Sequence, residues 1–225
     1  MPRHTQSGSS IILILAAAGV GAMMGAFLAV PGDVSQIQGL VQPIWISLAI
    51  YFVFNLYWSV EARNTAPTKS SESPQSYLIH RLLINVSMVL LFLRVPGSAG
   101  RWLPAWSPLV PLGIAIEACF FLLAVWARRH LGRNWSGGVA AKVEHELVRS
   151  GPYRLVRHPI YTAILGMYIG IAVTSGEWHA MAGVFLLVAA YWRKIRLEEQ
   201  VLHTLFGAQY DEYRRNSWAL IPGLL

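Results

Sequence analysis

The sequence predicts an all-α, polytopic membrane protein with about six transmembrane helices, the last two of which form a C-terminal helical hairpin. Of the 225 residues, 55% are hydrophobic and only 13% are charged, against about 25% charged residues in an ordinary soluble domain. Apolar runs recur along the chain, and Lys and Arg are concentrated between alternate runs. These features together indicate a chain that lies in a lipid bilayer.

Six apolar runs account for the predicted helices. The first resembles a secretory signal because residues 2–4 are basic, but it is longer than a usual signal core and no clear cleavage site follows. We therefore expect it to be a retained anchor. The last two runs are short for a span of about 20 residues, but they can extend into flanking residues and are separated only by the tight turn "SGEWH". The runs lie near residues 10–30, 44–60, 77–93, 109–127, 159–174 and 180–192.

The distribution of cations predicts the orientation, because loops rich in Lys and Arg stay on the cytoplasmic side of a membrane. Six helices separate two alternating sets of loops. One set holds most of the cations, including the seven from Arg128 to Arg157, whereas the other holds only Arg94 and Arg101. Both termini and the predicted functional site are therefore expected to face the cytoplasm.

Net charge and cysteine content restrict the possible partners. The formal charge of +7 sits where a membrane protein places its basic residues, so anionic lipid headgroups are the expected counter-charges rather than nucleic acid. The single cysteine, Cys119, rules out an intrachain disulfide and a multi-cysteine metal site. We expect no bound metal, and the sequence leaves the oligomeric state open.

Organisation along the chain points to chemistry in the second half. We divide the chain into an N-terminal membrane region, residues 1–127, which contains the polar connector "NTAPTKSSESPQS", and a C-terminal catalytic region, residues 128–225. In the second region, a short hairpin must bring the start of its first helix next to the end of its second. His158 should therefore approach Glu198 and Glu199, although about 40 residues separate them in the sequence.

Structural explanations remain open for several of these residues. Arg154 and Arg157 could be interface anchors, and Tyr153 and Tyr161 could belong to an interfacial aromatic belt. An acid inside a predicted span, such as Glu117, is a functional candidate by default. Pro159 suits the first turn of a helix, where its missing N–H is not needed.

Three segments in order resemble the isoprenylcysteine carboxyl methyltransferase family and the related phospholipid methyltransferases of membranes. They are "RRHLGRNWSGGV" (128–139), "HELVRSGPYRLVRHPIYTAIL" (145–165) and "EEQVLHTLFGAQYDEYRR" (198–215). The resemblance covers roughly residues 128–216, and the earlier helices match only in being hydrophobic. It implies methyl transfer from S-adenosylmethionine in a helical membrane fold, without the Rossmann sheet of soluble methyltransferases.

The resemblance also implies roles for individual residues. A cofactor with an ammonium, a carboxylate, ribose hydroxyls and an adenine needs an acid, several donors and an apolar wall. Lys194 stands where the family places an arginine that orients the acceptor, and Arg196 is a possible substitute. Ala163 stands where the family usually has glycine. The candidate cofactor-binding residues are His145, Glu146, Leu147, Val148, Tyr153, His158, Tyr161 and Glu198, and the candidate catalytic residues are Lys194, Arg196, Arg157 and Glu199.

The chemistry of the acceptor determines whether a base is needed. A carboxylate is already ionised near neutral pH, so its methylation requires positioning rather than proton removal. An amine or phenol would need a base, for which His158, Glu199 and Tyr161 are candidates. We expect a lipophilic or lipid-linked acceptor, most readily an isoprenylcysteine-like carboxylate. A lipid amine, a sterol-reductase-like NADPH enzyme and a non-catalytic membrane protein are the alternatives.

Overall fold

The computed structural model describes residues 34–92, 100–104, 106–142 and 146–224, and side chains are described from residue 43 onward except at positions 70 and 142. The first predicted apolar run, Arg94 and His145 lie outside these residues. The helices are α1 (Val34–Glu61), α2 (Pro74–Phe92), α3 (Leu109–Leu131), α4 (Pro159–Ser175), α5 (Trp178–Phe206) and α6 (Ala208–Arg215), and two 3₁₀ turns cover Gly132–Asn134 and Gly151–Arg154.

Three helical stretches in the described part of the chain are long and apolar enough to cross a membrane: Pro43–Glu61, Pro74–Phe92 and Leu109–Asn134. They coincide with the second, third and fourth predicted runs. Helix α4 is apolar but shorter, at 17 residues. Helix α5 continues well beyond residue 192 into a charged segment. The protein is thus a helical integral membrane protein, and the described part supports three of the six expected spans by length and composition.

The turn between α4 and α5 is as tight as the sequence indicates. Gly176 ends α4 with φ of 65°, a left-handed conformation that glycine adopts without steric cost. Helix α5 then begins at Trp178. Pro159 occupies the first turn of α4, with His158 as the residue that precedes the helix. The hairpin therefore has its two open ends at His158 and at the charged second half of α5.

Helices α3 and α4 pack with their backbones in close contact. A Cβ on Gly170 would lie 2.6 Å from the backbone nitrogen of Glu117, and one on Gly113 would lie 2.7 Å from the carbonyl oxygen of Gly170. Small residues at such crossings let membrane helices approach closely. This contact holds α4, and hence His158 at its start, in a fixed position against α3.

We expect Gly170→Ala to destabilise the protein, because the clash is with backbone that cannot turn away. Forcing a methyl group into packed structure costs about 1–3 kcal/mol. Thermal unfolding in detergent measures the effect. Gly100→Ala is the comparison, since its added Cβ would meet only the Trp178 side chain, at an ordinary contact distance of 3.6 Å. A Gly170→Ala protein as stable as the wild type would contradict the tight α3–α4 contact.

A two-stranded antiparallel ladder, which the sequence did not predict, lies beside the helices. Strand β1 (Thr68–Ser71) in the polar connector pairs with β2 (Ala140–Lys142). Next to the ladder, the backbone N–H of Glu72 donates to the carbonyl oxygen of Val139 at 2.9 Å, and the N–H of Val139 donates to the Glu72 carboxylate at 2.9 Å. The connector thereby fixes the loop that follows α3.

Candidate active site

The open end of the hairpin brings one histidine and two acids together. His158 Nδ1 lies 3.6 Å from Glu198 Oε2, and His158 Nε2 lies 3.5 Å from Glu199 Oε1. The juxtaposition predicted from the short turn is therefore confirmed. His158 is buried at the start of α4, while both acids lie on α5 two turns beyond the apolar part of that helix.

A first cavity opens beside this cluster, with about 830 Å³ of space that includes part open to solvent. Its walls come from the loop after α3, the segment before α4 and the charged half of α5. Apolar side chains supply much of the wall, and Glu198 supplies a carboxylate. The lining residues are Leu131, Asn134, Trp135, Ser136, Gly138, Val139, Ala140, Glu146, Leu147, Val148, Tyr153, Arg157, His158, Ile160, Tyr161, Glu198, Val201, Leu202 and Tyr213.

Glu198 is held as an anion at the inner wall of this cavity. The Tyr161 hydroxyl donates to Glu198 Oε1 at 2.5 Å, and Lys194 Nζ lies 4.0 Å from the same oxygen. Burial alone would raise the pKa of Glu198, but His158, Lys194 and Tyr161 outweigh burial and lower it. For His158, burial would lower the pKa, yet the two neighbouring carboxylates raise it above its usual value. The pair therefore favours an imidazolium beside carboxylates.

Arg157 joins the second acid to the C-terminal segment. Its Nε donates to Glu199 Oε1 at 2.8 Å, and its Nη1 donates to the carbonyl oxygens of Arg214, at 3.2 Å, and Ser217. Burial would raise the pKa of Glu199, but His158 and Arg157 together lower it to about 2. Glu199 is thus an ionised anchor between the hairpin and the segment that follows α6.

The C-terminal segment also binds the start of α4 through its backbone. The N–H of Arg157 donates to the carbonyl oxygen of Trp218 at 2.8 Å, and the N–H of His158 donates to that of Ala219 at 3.1 Å. Thr162 Oγ1 donates to the carbonyl oxygen of Leu220 at 2.8 Å. Position and orientation of His158 therefore depend on residues 218–220, which the sequence reasoning did not single out.

A second cavity lies among α1, α2, α4 and α5, with about 1040 Å³ of space that includes part open to solvent. Aromatic and polar side chains line it. Its cations are Lys194 and Arg81, and the described lining contains no Asp or Glu. The lining residues are Asn55, Trp58, Ser59, Ala62, Tyr77, His80, Arg81, Ile84, Asn85, Trp135, Ser136, Gly137, Ile160, Tyr161, Ile164, Tyr191 and Lys194.

The two cavities share a wall made by Trp135, Ser136, Ile160 and Tyr161. Glu198 lines only the first cavity and Lys194 lines only the second, although they are one helical turn apart. Lys194 Nζ donates to the carbonyl oxygen of Gly137 at 2.9 Å and lies 5.3 Å from the centre of the Tyr161 ring. The anion and the cation thus line different cavities, although their charged atoms lie only 4.0 Å apart.

Trp135 in this wall is fixed by a buried arginine. Arg128, which is fully buried at the end of α3, lies with its guanidinium 4.8 Å from the centre of the Trp135 ring. Its Nη atoms donate to the carbonyl oxygens of Gly132 at 2.7 Å and Asn64 at 3.1 Å. The sequence analysis gave neither residue a role, although both lie in the segment "RRHLGRNWSGGV".

The structure places most, but not all, of the predicted site residues in one region. Glu146, Leu147, Val148, Tyr153, Arg157, His158, Tyr161 and Glu198 line the first cavity, and Lys194 lines the second. Glu199 contacts the cluster through His158 and Arg157. Arg196 is not brought in: it is exposed, 5.1 Å from the centre of the Trp192 ring. Two residues along a helix are about 200° apart, so Arg196 and Lys194 face different sides of α5.

Comparison with known proteins finds similarity to methyltransferases over part of the chain. Residues 109–209 match the phospholipid methyltransferase family. A probable protein-S-isoprenylcysteine O-methyltransferase of Oryza sativa subsp. indica is 31% identical over 80 residues, which cover 35% of this chain and 42% of that protein. The cobalt-zinc-cadmium resistance protein CzcN of Cupriavidus metallidurans is 34% identical over 97 residues, covering 42% of this chain and 44% of that protein.

A solved structure extends the similarity of fold to nearly the whole chain. The eukaryotic intramembrane Ras methyltransferase ICMT matches with a TM-score of 0.57 and 19% identity, covering 95% of this chain and 77% of that one. The likeness at this identity concerns the fold. The chain spans less than half the length of the two curated relatives, at 42% and 44%.

Proposed function

We propose that this chain is a membrane methyltransferase that transfers a methyl group from S-adenosylmethionine to a lipophilic acceptor. The match of residues 109–209 to the phospholipid methyltransferase family and the similarity to protein-S-isoprenylcysteine O-methyltransferases support this proposal. The acceptor is a carboxylate on an apolar tail, such as an S-prenylated cysteine. The pair of cavities that share the Tyr161 wall supports this proposal most directly, since two reactants of different solubility need separate sites that meet.

The first cavity fits S-adenosylmethionine by the chemistry of its donors. Glu198 is an ionised carboxylate suited to the cofactor's ammonium or ribose hydroxyls, and charge-assisted hydrogen bonds of this kind are strong. Trp135, Val148 and Leu202 provide apolar surface for an adenine. When bound, the cofactor supplies the methyl group from a positively charged sulfonium. We assign His158 and Tyr161 to holding Glu198 in place.

The second cavity fits an anionic acceptor. Lys194 and Arg81 are its cations, and the absence of Asp and Glu from its described lining disfavours an ammonium or an amine that must shed a proton there. Lys194 would hold the acceptor carboxylate in the second cavity, which Glu198 does not line. A carboxylate needs no general base, so the residues of this site act by orienting the acceptor and excluding water.

The family's name makes a lipid amine the second candidate acceptor. An amine must lose a proton before it attacks, and the base would have to reach the second cavity. Of the candidate bases, His158 and Glu199 do not line that cavity, and Tyr161, which does, has its hydroxyl donating to Glu198. The charges around the second cavity therefore favour a carboxylate acceptor over an amine.

The test is methyl transfer by the purified protein in detergent with labelled S-adenosylmethionine. The acceptors are N-acetyl-S-farnesylcysteine, its methyl ester and phosphatidylethanolamine. We expect label in the first alone. Label in phosphatidylethanolamine would indicate that the acceptor is an amine and not a carboxylate. Binding of NADPH without binding of S-adenosylmethionine or its demethylated product would indicate the reductase-like alternative.

We expect Lys194→Ala to depress turnover of the carboxylate acceptor by about tenfold or more, since an interaction with an ionised group is worth about 1.5–3 kcal/mol. Affinity for S-adenosylmethionine should stay nearly unchanged, because Lys194 lies outside the first cavity. Kinetics with acceptor and calorimetry with cofactor separate the two effects. Arg196→Ala is the matched control, since it removes a nearby cation from the exposed side of α5. Equal loss of cofactor affinity and turnover in Lys194→Ala would contradict this assignment.

Orientation is part of the proposal. The cation-rich segments around the first cavity would place it at the cytoplasmic face, where the soluble cofactor is available. The acceptor would reach the second cavity from the bilayer, between the apolar helices that form it. Both termini would then lie on the cytoplasmic side.

A further inference from the structure

His80 is a buried polar residue that neither the hairpin cluster nor the first cavity uses. It lies in α2, one of the membrane-capable helices, and is 3% exposed. It lines the second cavity together with Lys194. Histidine within an apolar membrane helix is rare and usually faces a functional interior. Its role has to be sought in the second cavity.

The Nδ1 atom of His80 lacks a hydrogen-bond partner among the described residues. Among the described residues that line the second cavity, His80 is the one with a buried side-chain nitrogen that has no hydrogen-bond partner. Buried polar atoms in folded proteins are nearly always paired, because an unpaired one costs about 1–3 kcal/mol. A molecule in the cavity could supply the missing partner.

Ring packing holds His80 in place on the acceptor side. The imidazole centre lies 5.8 Å from the ring centre of Tyr191, which stacks on Tyr161 at 4.6 Å and 21°. Tyr161 in turn stacks on His158 at 5.5 Å and 9°. A row of four rings thus runs from the cofactor side to the acceptor side, with His80 at its far end and Lys194 above Tyr161.

A single lysine leaves a carboxylate poorly oriented. Lysine presents a point charge, whereas an arginine fork fixes both oxygens of a carboxylate at once. Methyl transfer to an oxygen requires that one defined oxygen face the donor, so orientation bears directly on rate. A second donor in the same cavity would supply what Lys194 lacks. The cavity's arginine, Arg81, has its Nη1 3.5 Å from the Tyr77 hydroxyl, which leaves His80 as the unpaired donor.

We infer that His80 and Lys194 together form a two-point site for the acceptor's carboxylate, in which His80 Nδ1 donates to one oxygen and Lys194 attracts the other. His80 is then a specificity-determining residue that selects acids over their esters and amides. The inference rests on the proposed function and names the group in the acceptor that the second cavity recognises.

Binding of N-acetyl-S-farnesylcysteine and of its methyl ester, measured by calorimetry in detergent without turnover, tests this site. For the wild type we expect the acid to bind about tenfold or more tightly than the ester, as a charge-assisted hydrogen bond implies. His80→Leu should lose most of that preference by weakening the acid and leaving the ester nearly unchanged. His80→Asn should retain much of it, because an amide N–H can stand close to the position of Nδ1.

Two controls make the result decisive. Affinity for S-adenosylmethionine should be the same in all variants, which shows that the first cavity is intact, and Leu82→Ala on the exposed side of α2 should behave as wild type. An unchanged acid-to-ester ratio in His80→Leu would overturn the role of His80 while leaving the proposed function in place. Equal binding of acid and ester by the wild type would overturn both the two-point site and the proposed carboxylate acceptor.

Discussion

Replacing Glu198 by glutamine is expected to weaken binding of S-adenosylmethionine by about 1.5–3 kcal/mol, the value of a hydrogen bond to a charged group. Glutamine keeps the shape of the side chain and can still accept from Tyr161, so the change removes charge rather than packing. Lys194 and His158 lose the anion that now faces them at 4.0 and 3.6 Å. Calorimetry with S-adenosylmethionine measures the loss directly.

The matched control is Glu212→Gln, which neutralises an acid that is 63% exposed and 3.9 Å from Arg149. Surface pairs of this kind contribute at most about 1 kcal/mol, so cofactor affinity should not change. Thermal unfolding of both variants shows whether the fold is retained. A Glu198→Gln protein that is folded and binds the cofactor as tightly as wild type would place the ammonium or ribose elsewhere in the first cavity.

The hairpin cluster could be predicted from the sequence because it depends on chain connectivity alone. A two-residue turn makes the flanking helices run antiparallel and side by side. His158 at the start of α4 therefore lies near Glu198 and Glu199 in the second half of α5. Eight of the nineteen residues that line the first cavity were candidates from the same reasoning and from the family resemblance. Their roles in binding remain predictions.

The second cavity could not be predicted because it depends on how distant helices rotate against one another. His80 lies beside Arg81 in an otherwise apolar run, and only the packing of α2 against α5 places it in the same cavity as Lys194. The β1–β2 ladder was missed for a related reason: strands of four and three residues, about 70 positions apart, leave little periodicity to recognise. Arg196 is the opposite case. Its charge and its position near Lys194 in the sequence suggested that it orients the acceptor, but it lies on the exposed side of α5.

Replacing Arg157 is expected to have the second large effect, because this residue connects the start of α4, Glu199 on α5 and the C-terminal segment. The sequence made it a candidate catalytic residue, whereas its contacts are with Glu199 and with the carbonyl oxygens of Arg214 and Ser217. Its side chain is 8% exposed and that of Glu199 is 15% exposed. Removing one partner of such a buried pair leaves an uncompensated charge. Through its contacts, Arg157 holds the C-terminal segment against α4 and thereby positions His158.

Arg157→Ala is therefore expected to lower the free energy of unfolding by about 3–5 kcal/mol and to weaken S-adenosylmethionine binding as the C-terminal segment loosens from α4. Chemical unfolding in detergent and cofactor calorimetry measure the two losses. Arg154→Ala, at an exposed neighbouring cation, should change stability by no more than about 0.5 kcal/mol. In a double-mutant cycle, Glu199→Ala should cost much less when Arg157 is already absent, since the two residues share one interaction. Additive losses would show that Arg157 stabilises the site through the carbonyl oxygens of the C-terminal segment and not through Glu199.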